Sequence, residues 1–235
     1  MLVDTDSPMP WPHPLKPIVR HFSIAQVCSR LARVHGPVKP PRAMPVLDEL
    51  VATILSQNTS DRNSSAAFES LKRRFSSWDA VRRARTATVI RAIERGGLAR
   101  QKGPRIKAVL SEIQKRRGRL SLQFLRRMSD GDALEFLRSF DGVGPKTAAC
   151  VLLFACRKPV LPVDTHVHRV SRRLGLIGPK VSAEAAHDEL ASMVEPKRVL
   201  DFHILLVRHG RTVCTARNPT CRACVLAGAC PSAEI

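Results

Sequence analysis

The stretch CTARNPTCRACVLAGAC holds four of the chain's seven cysteines: Cys214, Cys221, Cys224 and Cys230, spaced C-x6-C-x2-C-x5-C. Thiols crowded this way in a chain with no secretory signal suit a metal centre better than disulfides. Zinc sites more often show two short C-x-x-C knuckles. One compact loop supplying all four thiolates favours a 4Fe-4S cluster over zinc, and zinc stays open as the alternative. Cys28, Cys150 and Cys156 lack such spacing and read as small buried hydrophobes.

A second stretch, FDGVGPKTAACVLLFAC (Phe140 to Cys156), begins with two glycines, a proline and a lysine and ends as apolar as a core helix. Glycines allow a tight turn and close backbone approach to another molecule. The N–H groups at the start of the following helix then face outward as a phosphate site. Lys146 stands in that helix's first turn, where the helix dipole disfavours a cation. Such a place suits an amine that must be neutral to act as a nucleophile, although the local sequence by itself favours a plain phosphate contact. Eighteen residues on, PVDTHVHRV brings Asp164. It reads both as the N-cap of a helix starting at Thr165 and as a catalytic carboxylate, and the two roles are compatible.

The elements that must position these groups read almost entirely as helix. VLDELVATILSQ places apolar residues at Val46, Leu47, Leu50, Val51, Ile54 and Leu55, the spacing of one helical face. AAFESLKRRF, ATVIRAIERG, GPRIKAVLSEIQKRRG, SDGDALEFLRSF, PKTAACVLLFAC, THVHRVSRRLGL, AAHDELASMV and FHILLVRHGR follow the same pattern. Gly96-Gly97 ends one helix, and Gly103-Pro104 is expected to open the next, with proline in the first turn. Ser129 with Asp132 caps the helix running to Phe140. No segment alternates as a strand does, and GPVKPPRAMP (36–45) is the clearest linker. A helix-hairpin-helix results, in an all-α protein.

The 235 residues carry 39 Lys plus Arg against 20 Asp plus Glu, a net charge of +19. That imbalance calls for a polyanion, because phosphates neutralised by Lys or Arg release counterions. Tyrosine is absent, which disfavours a stacking platform of the RNA-binding-sheet kind. The longest apolar run is too short to span a bilayer. The segment MLVDTDSPMPWPHPLKP has neither a signal nor a transit pattern and reads as a loose leader. A cytoplasmic protein, associated with the nucleoid through DNA, is expected.

Taken together, GVGPKTA, VDTH eighteen residues later, HGR at 209–211 and the cysteine run resemble the endonuclease III family of helix-hairpin-helix DNA glycosylases with a C-terminal iron–sulfur cluster. ILSQNTSDRN (54–63) and GLARQK (97–102) are similar to the two loops with which that family invades the duplex. The resemblance runs from about residue 25 to 231. It implies two helical domains with the helix-hairpin-helix beside the cleft between them. These would be a six-helix barrel over 42–158 and a cluster domain made of 25–41 plus 159–235, after a flexible extension over 1–24.

The resemblance also implies roles. Lys146 would attack C1′ of the damaged nucleotide, with Asp164 as its carboxylate partner. Gln57 would fill the gap left by the flipped base and Leu98 would wedge into the stack. Gly142, Val143 and Gly144 would offer hairpin amides to phosphate, and Arg217 a phosphate contact. Cys214, Cys221, Cys224 and Cys230 would hold a 4Fe-4S cluster. The implied protein is a monomeric base-excision-repair glycosylase with AP lyase activity on oxidised pyrimidines in double-stranded DNA, and on abasic sites. A monofunctional or mismatch-directed (uracil or thymine) glycosylase and a non-catalytic DNA-binding metal-ribbon protein are the alternatives. Two departures bear on substrate preference: Phe140-Asp141 precede the glycines where the family reads LPGVG, and Ala99-Arg100 follow Leu98 where an aromatic is common.

Overall fold

The computed structural model describes residues 22–234. Eleven α-helices occur there: α1 (Ile24–His35), α2 (Val46–Ser56), α3 (Asp61–Arg74), α4 (Trp78–Arg83), α5 (Thr86–Ala92), α6 (Ala99–Arg117), α7 (Asp130–Arg138), α8 (Pro145–Phe154), α9 (Thr165–Arg173), α10 (Ala185–Met193) and α11 (Val199–Thr212). No strand occurs among the described residues, in keeping with the all-α expectation. The extension expected over 1–24 lies almost wholly outside them.

Local chemistry sets most boundaries. Five helices begin on a residue whose side chain accepts a first-turn N–H: Ser23, Ser60, Ser77, Ser129 and Asp164. Each such cap contributes about 1 kcal/mol by satisfying an orphan donor. At Ser23 the cap is reciprocal, since the Gln26 side chain accepts the Ser23 N–H in return. The linker over 36–45 carries no regular structure, as expected.

One boundary differs from the sequence reading. α6 starts at Ala99, not at Gly103-Pro104, and Leu98 precedes it in the left-handed conformation with φ 51°. Gly103 serves packing: a Cβ there would fall 2.9 Å from Ile90 Cγ1, so glycine lets α6 close on α5. Pro104 lies exposed, where water can reach the Arg100 carbonyl that the missing N–H leaves free.

The buried side chains divide into two cores. One draws on residues from Val46 to Cys156; the other joins Val27, Cys28 and Leu31 of α1 to residues from Leu153 to Leu226. α8 belongs to both. Val151 and Leu152 pack into the first core and Leu153 into the second, and every residue from Thr147 to Leu153 is buried. A helix apolar all round is a buried helix. This explains the composition of the stretch from Pro145 to Phe154, and it brings the helix's N-terminus, with Lys146, out at the seam between the halves.

The other half of the seam is built by close helix contact. A Cβ on Gly210 of α11 would sit 2.9 Å from the His166 Cβ of α9, so glycine lets those helices press together. One residue on, Arg211 forms a two-pronged ion pair across the seam to Asp61 in the first turn of α3, at 2.6 and 3.1 Å. Both side chains are half exposed or more, so the pair orients the halves more than it stabilises them.

Candidate active site and cysteine centre

α7, a turn and α8 form the hairpin. The Val143 N–H donates to the Phe140 carbonyl at 3.1 Å to close the turn, and the Val143 side chain is buried. Its amide thereby takes part in the turn. Among the described residues, the Gly142 and Gly144 amides donate to no backbone carbonyl. Gly142 has φ 74°, so the turn itself requires glycine, and the Arg105 side chain lies over it. α8 has no side-chain cap, unlike α7 and α9, leaving its first-turn N–H groups open to an anion.

Lys146 and Asp164 come together. Both line one cavity of about 190 Å3 at the seam, with Glu49, Thr53 and Ser56 from α2 and His203 and Arg211 from α11. Asp164 is also the N-cap of α9: its Oδ1 accepts from the His166 N–H at 2.9 Å and the Val167 N–H at 2.8 Å. Among the described residues Oδ2 accepts no hydrogen bond. The cap thus fixes the carboxylate while sparing one oxygen.

The neighbours define the electrostatics. Burial pushes the Glu49 carboxyl above its ordinary value, opposed by a Thr53 hydroxyl at 3.5 Å and the charges of Lys146 and Arg157. Burial holds the His203 imidazole below its ordinary value, and the Asp164 charge opposes that. His203 Nδ1 lies 2.9 Å from the Pro162 carbonyl. A carbonyl can only accept, so the neutral ring carries its hydrogen on Nδ1 and keeps Nε2 as an acceptor. Cys150, one turn beyond Lys146, is pushed up to about 11 by burial and stays a thiol.

The sequence reading missed Glu49, Thr53, Ser56 and His203. A signal existed for the first three, which recur at i, i+4 and i+7 as a polar stripe on the largely apolar α2. His203 gave none, because a lone histidine among apolar residues looks like core.

Of the two loops expected to enter the duplex, the Gln57 loop packs against the hairpin, and the Leu98 loop adjoins the Gln57 loop through Gly97 and Thr59. The Gln57 side chain lies folded against it: Nε2 donates to the Thr147 hydroxyl at 3.1 Å and the Gly142 carbonyl at 3.3 Å. Arg105 Nη1 donates to Gln57 Oε1 at 3.1 Å. Leu98 projects with 44% exposure, which excludes a core-filling role. Arg217 is exposed in the loop between Cys214 and Cys221.

Cys214, Cys221, Cys224 and Cys230 line a single cavity with Val170, Leu174 and His209. Four tetrahedral thiolates about 2.3 Å from one zinc would nearly touch one another. No group of three or more His, Cys, Asp or Glu side chains among the described residues closes to hold a single ion. Donors nonetheless approach the sulfurs. Arg173 Nη1 lies 3.3 Å from Cys214 Sγ, and the Leu226 N–H 3.4 Å from Cys224 Sγ. Arg173 also donates to the Thr215 and Ala216 carbonyls, and Arg169 to that of Cys214, so α9 anchors the start of the cysteine loop. Donors to sulfur and a nearby cation suit an anionic multi-iron centre.

Residues 51–196 match the profile of the HhH-GPD superfamily of base excision DNA repair proteins. The chain belongs to that superfamily, and within it to the endonuclease III family. It is 33% identical over 189 residues to endonuclease III of Sulfolobus acidocaldarius, covering 79% of this chain and 81% of the relative. Endonuclease III of Thermotoga maritima is 31% identical over 206 residues, with 87% and 89% covered. A provisionally named DNA glycosylase of Arabidopsis thaliana is 40% identical over 166 residues, and the match spans only 57% of that longer protein. In structure, a trapped endonuclease III–DNA covalent intermediate superimposes with a TM-score of 0.77 at 23% identity, over 89% of this chain and 95% of that one.

Proposed function

We propose that the protein is a base-excision-repair DNA glycosylase with associated AP lyase activity, acting on oxidised pyrimidines in duplex DNA. The observation that carries this reading is the meeting of Lys146 and Asp164 in one cavity, beside a glycine hairpin with free amides. The endonuclease III relatives point the same way.

A base stacked in a duplex hides its glycosidic bond, so the nucleotide must be extruded into the cavity. The Gly142 and Gly144 amides and Arg217 hold phosphates, while Gln57 and Leu98 occupy the space the nucleotide leaves. As the C1′–N bond breaks, its electron pair leaves with the base, which takes a proton. Positive charge grows on the sugar, and the Asp164 carboxylate stabilises it. The lone pair of the Lys146 amine forms a bond to C1′. The bound amine gives up a proton. The C1′–O4′ bond breaks with its electron pair going to O4′, which takes a proton, and the nitrogen lone pair completes an iminium at C1′. Loss of a C2′ proton then sends electrons to C3′, the C3′–O bond breaks and the 3′ phosphate leaves with that pair. Water finally hydrolyses the imine and frees Lys146.

The four cysteines would hold a 4Fe-4S cluster. When bound, such a cluster supplies a cross-link that orders the loop bearing Arg217. The protein would work as a monomer in the cytoplasm on nucleoid DNA.

The test uses duplexes carrying an oxidised pyrimidine, uracil or an abasic site, and measures base release and strand scission separately. The proposal expects both with the oxidised pyrimidine, and scission alone at the abasic site. Base release without scission would identify a monofunctional enzyme instead, and inertness on all three a DNA-binding protein.

A further inference from the structure

Lys102 is among the most deeply withdrawn side chains of the protein, 1% exposed. No carboxylate pairs with it among the described residues. Its Nζ donates to two backbone carbonyls, Leu55 O at 2.7 Å and Gly96 O at 2.9 Å. Burial accordingly lowers its pKa from the ordinary lysine value. A residue needed only to fill space there would be apolar, since a buried ammonium is costly unless its donors are met.

The two carbonyls are not interchangeable with others nearby. Leu55 lies in the last turn of α2, where carbonyls lack helical partners. Its neighbours are served locally: the Ser56 hydroxyl donates to Thr53 O and the Gln57 N–H to Ile54 O. Gly96 ends the short 3-10 turn Glu94–Gly96, whose Glu94 carbonyl accepts from Gly97. Lys102 therefore serves one terminal carbonyl at each of two element ends, Leu55 O and Gly96 O, and both ends carry partial negative charge. Two residues beyond each end stands a left-handed non-glycine residue, Asn58 and Leu98, both at φ 51°. Such backbone persists only where the surroundings hold it. The loops also adjoin, since a Cβ on Gly97 would lie 3.7 Å from Thr59 Oγ1.

We propose that Lys102 is a positioning residue that joins the Gln57 loop and the Leu98 loop into one rigid unit, so that both side chains enter the DNA stack together. The use of the loops on DNA rests on the function proposed above; their coupling does not. The ammonium draws the two carbonyl ends onto one point, and that sets the separation of the inserting residues. Because Lys102 is buried, it adds nothing to phosphate binding.

The test has a DNA-free arm and a DNA arm. In the wild-type protein, amide hydrogen exchange at Gln57 and at Gly97 should show one common opening, with equal free energy and equal dependence on denaturant. Independent opening of the two amides overturns the proposal without any variant being made. Lys102→Met should speed exchange at both amides about tenfold, the equivalent of about 1.4 kcal/mol, and leave the amides of α7 and α8 unchanged. Unchanged exchange at the two loop amides overturns the proposal. In the DNA arm, Lys102→Met should slow base release from a paired lesion about tenfold or more, while borohydride trapping on a single-stranded abasic oligonucleotide stays within about twofold. Equal losses on both substrates would show a merely structural role. If wild-type protein releases no base from any duplex, the proposed function fails while the exchange result still decides the coupling.

Discussion

Asp164 has two separable jobs, and two substitutions separate them. Oδ1 caps α9 with bonds of 2.9 and 2.8 Å, and Oδ2 is left without a hydrogen-bond donor among the described residues of the cavity it lines. Asp164→Asn can put its amide oxygen where Oδ1 stands and keep both cap bonds, because Asn caps about as well as Asp. It then presents a donor where the spare carboxylate oxygen was. Asp164→Ala removes cap and charge together. The lost cap costs about 1 kcal/mol, which lowers Tm by roughly 2–4 °C for a chain of this size. Asn should stay within about 1 °C of wild type, far less than the loss for Ala. The lost charge acts on the reaction. A carboxylate about 4 Å from the forming sugar cation is worth about 4 kcal/mol at an effective dielectric of about 20. Single-turnover base release should therefore fall about a thousandfold in both variants. Borohydride trapping on a preformed abasic duplex should persist in both, since no base remains to expel. Base release by Asp164→Asn within tenfold of wild type would refute the charge argument. A Tm loss in Asn equal to that in Ala would refute the cap argument.

Leu98→Ala should leave stability within about 0.5 kcal/mol, because the side chain is already exposed, while slowing turnover of paired lesions more than of single-stranded abasic substrate; a marked Tm loss with equal slowing on both would contradict this. The purified protein should be brown and hold about four irons per chain, with Cys224→Ser losing both colour and solubility; stoichiometric zinc without visible absorption in a natively loaded preparation would contradict it. Burial pushes the Cys28 and Cys150 thiols up to about 11 from an ordinary value of 9.0, so the folded state keeps protons that the unfolded chain gives up. Their contribution is full below pH 9 and is lost as pH rises toward 11, at about 1.4 kcal/mol per pH unit for each thiol. Urea titrations between pH 9 and 11 should therefore show a shallower decline for Cys150→Ala than for wild type.

Much of this was legible in the sequence because the signals were local. Ser129 and Asp164 cap helices as their types and positions predict, and α8 starts at Pro145 after the glycine turn. α1 went unread although Ser23 and Gln26 form a capping box and Val27, Cys28 and Leu31 share its buried face. α6 was misplaced because Gly103-Pro104 normally marks a break. Only the packed partner, Ile90, shows why glycine belongs inside that helix. The cavity could not be read from the sequence. Lys146 and Asp164 lie on one motif-bearing stretch, but Glu49 and His203 reach the site from helices far away in the chain. Lys102 gave no warning either, since a lysine in a basic chain looks like solvated surface until its two carbonyl partners are seen.

The central claim is that the Lys146 amine becomes bonded to the DNA sugar. It is tested most directly by borohydride reduction of wild-type protein on an abasic duplex, followed by digestion and mass spectrometry of the cross-linked peptide. The account predicts one nucleotide-bearing peptide with the modification on Lys146, and no adduct from a folded Lys146→Gln protein that still binds the duplex. Modification at another lysine, or a wild-type rate of trapping by Lys146→Gln, would contradict it and leave the hairpin lysine as a phosphate contact.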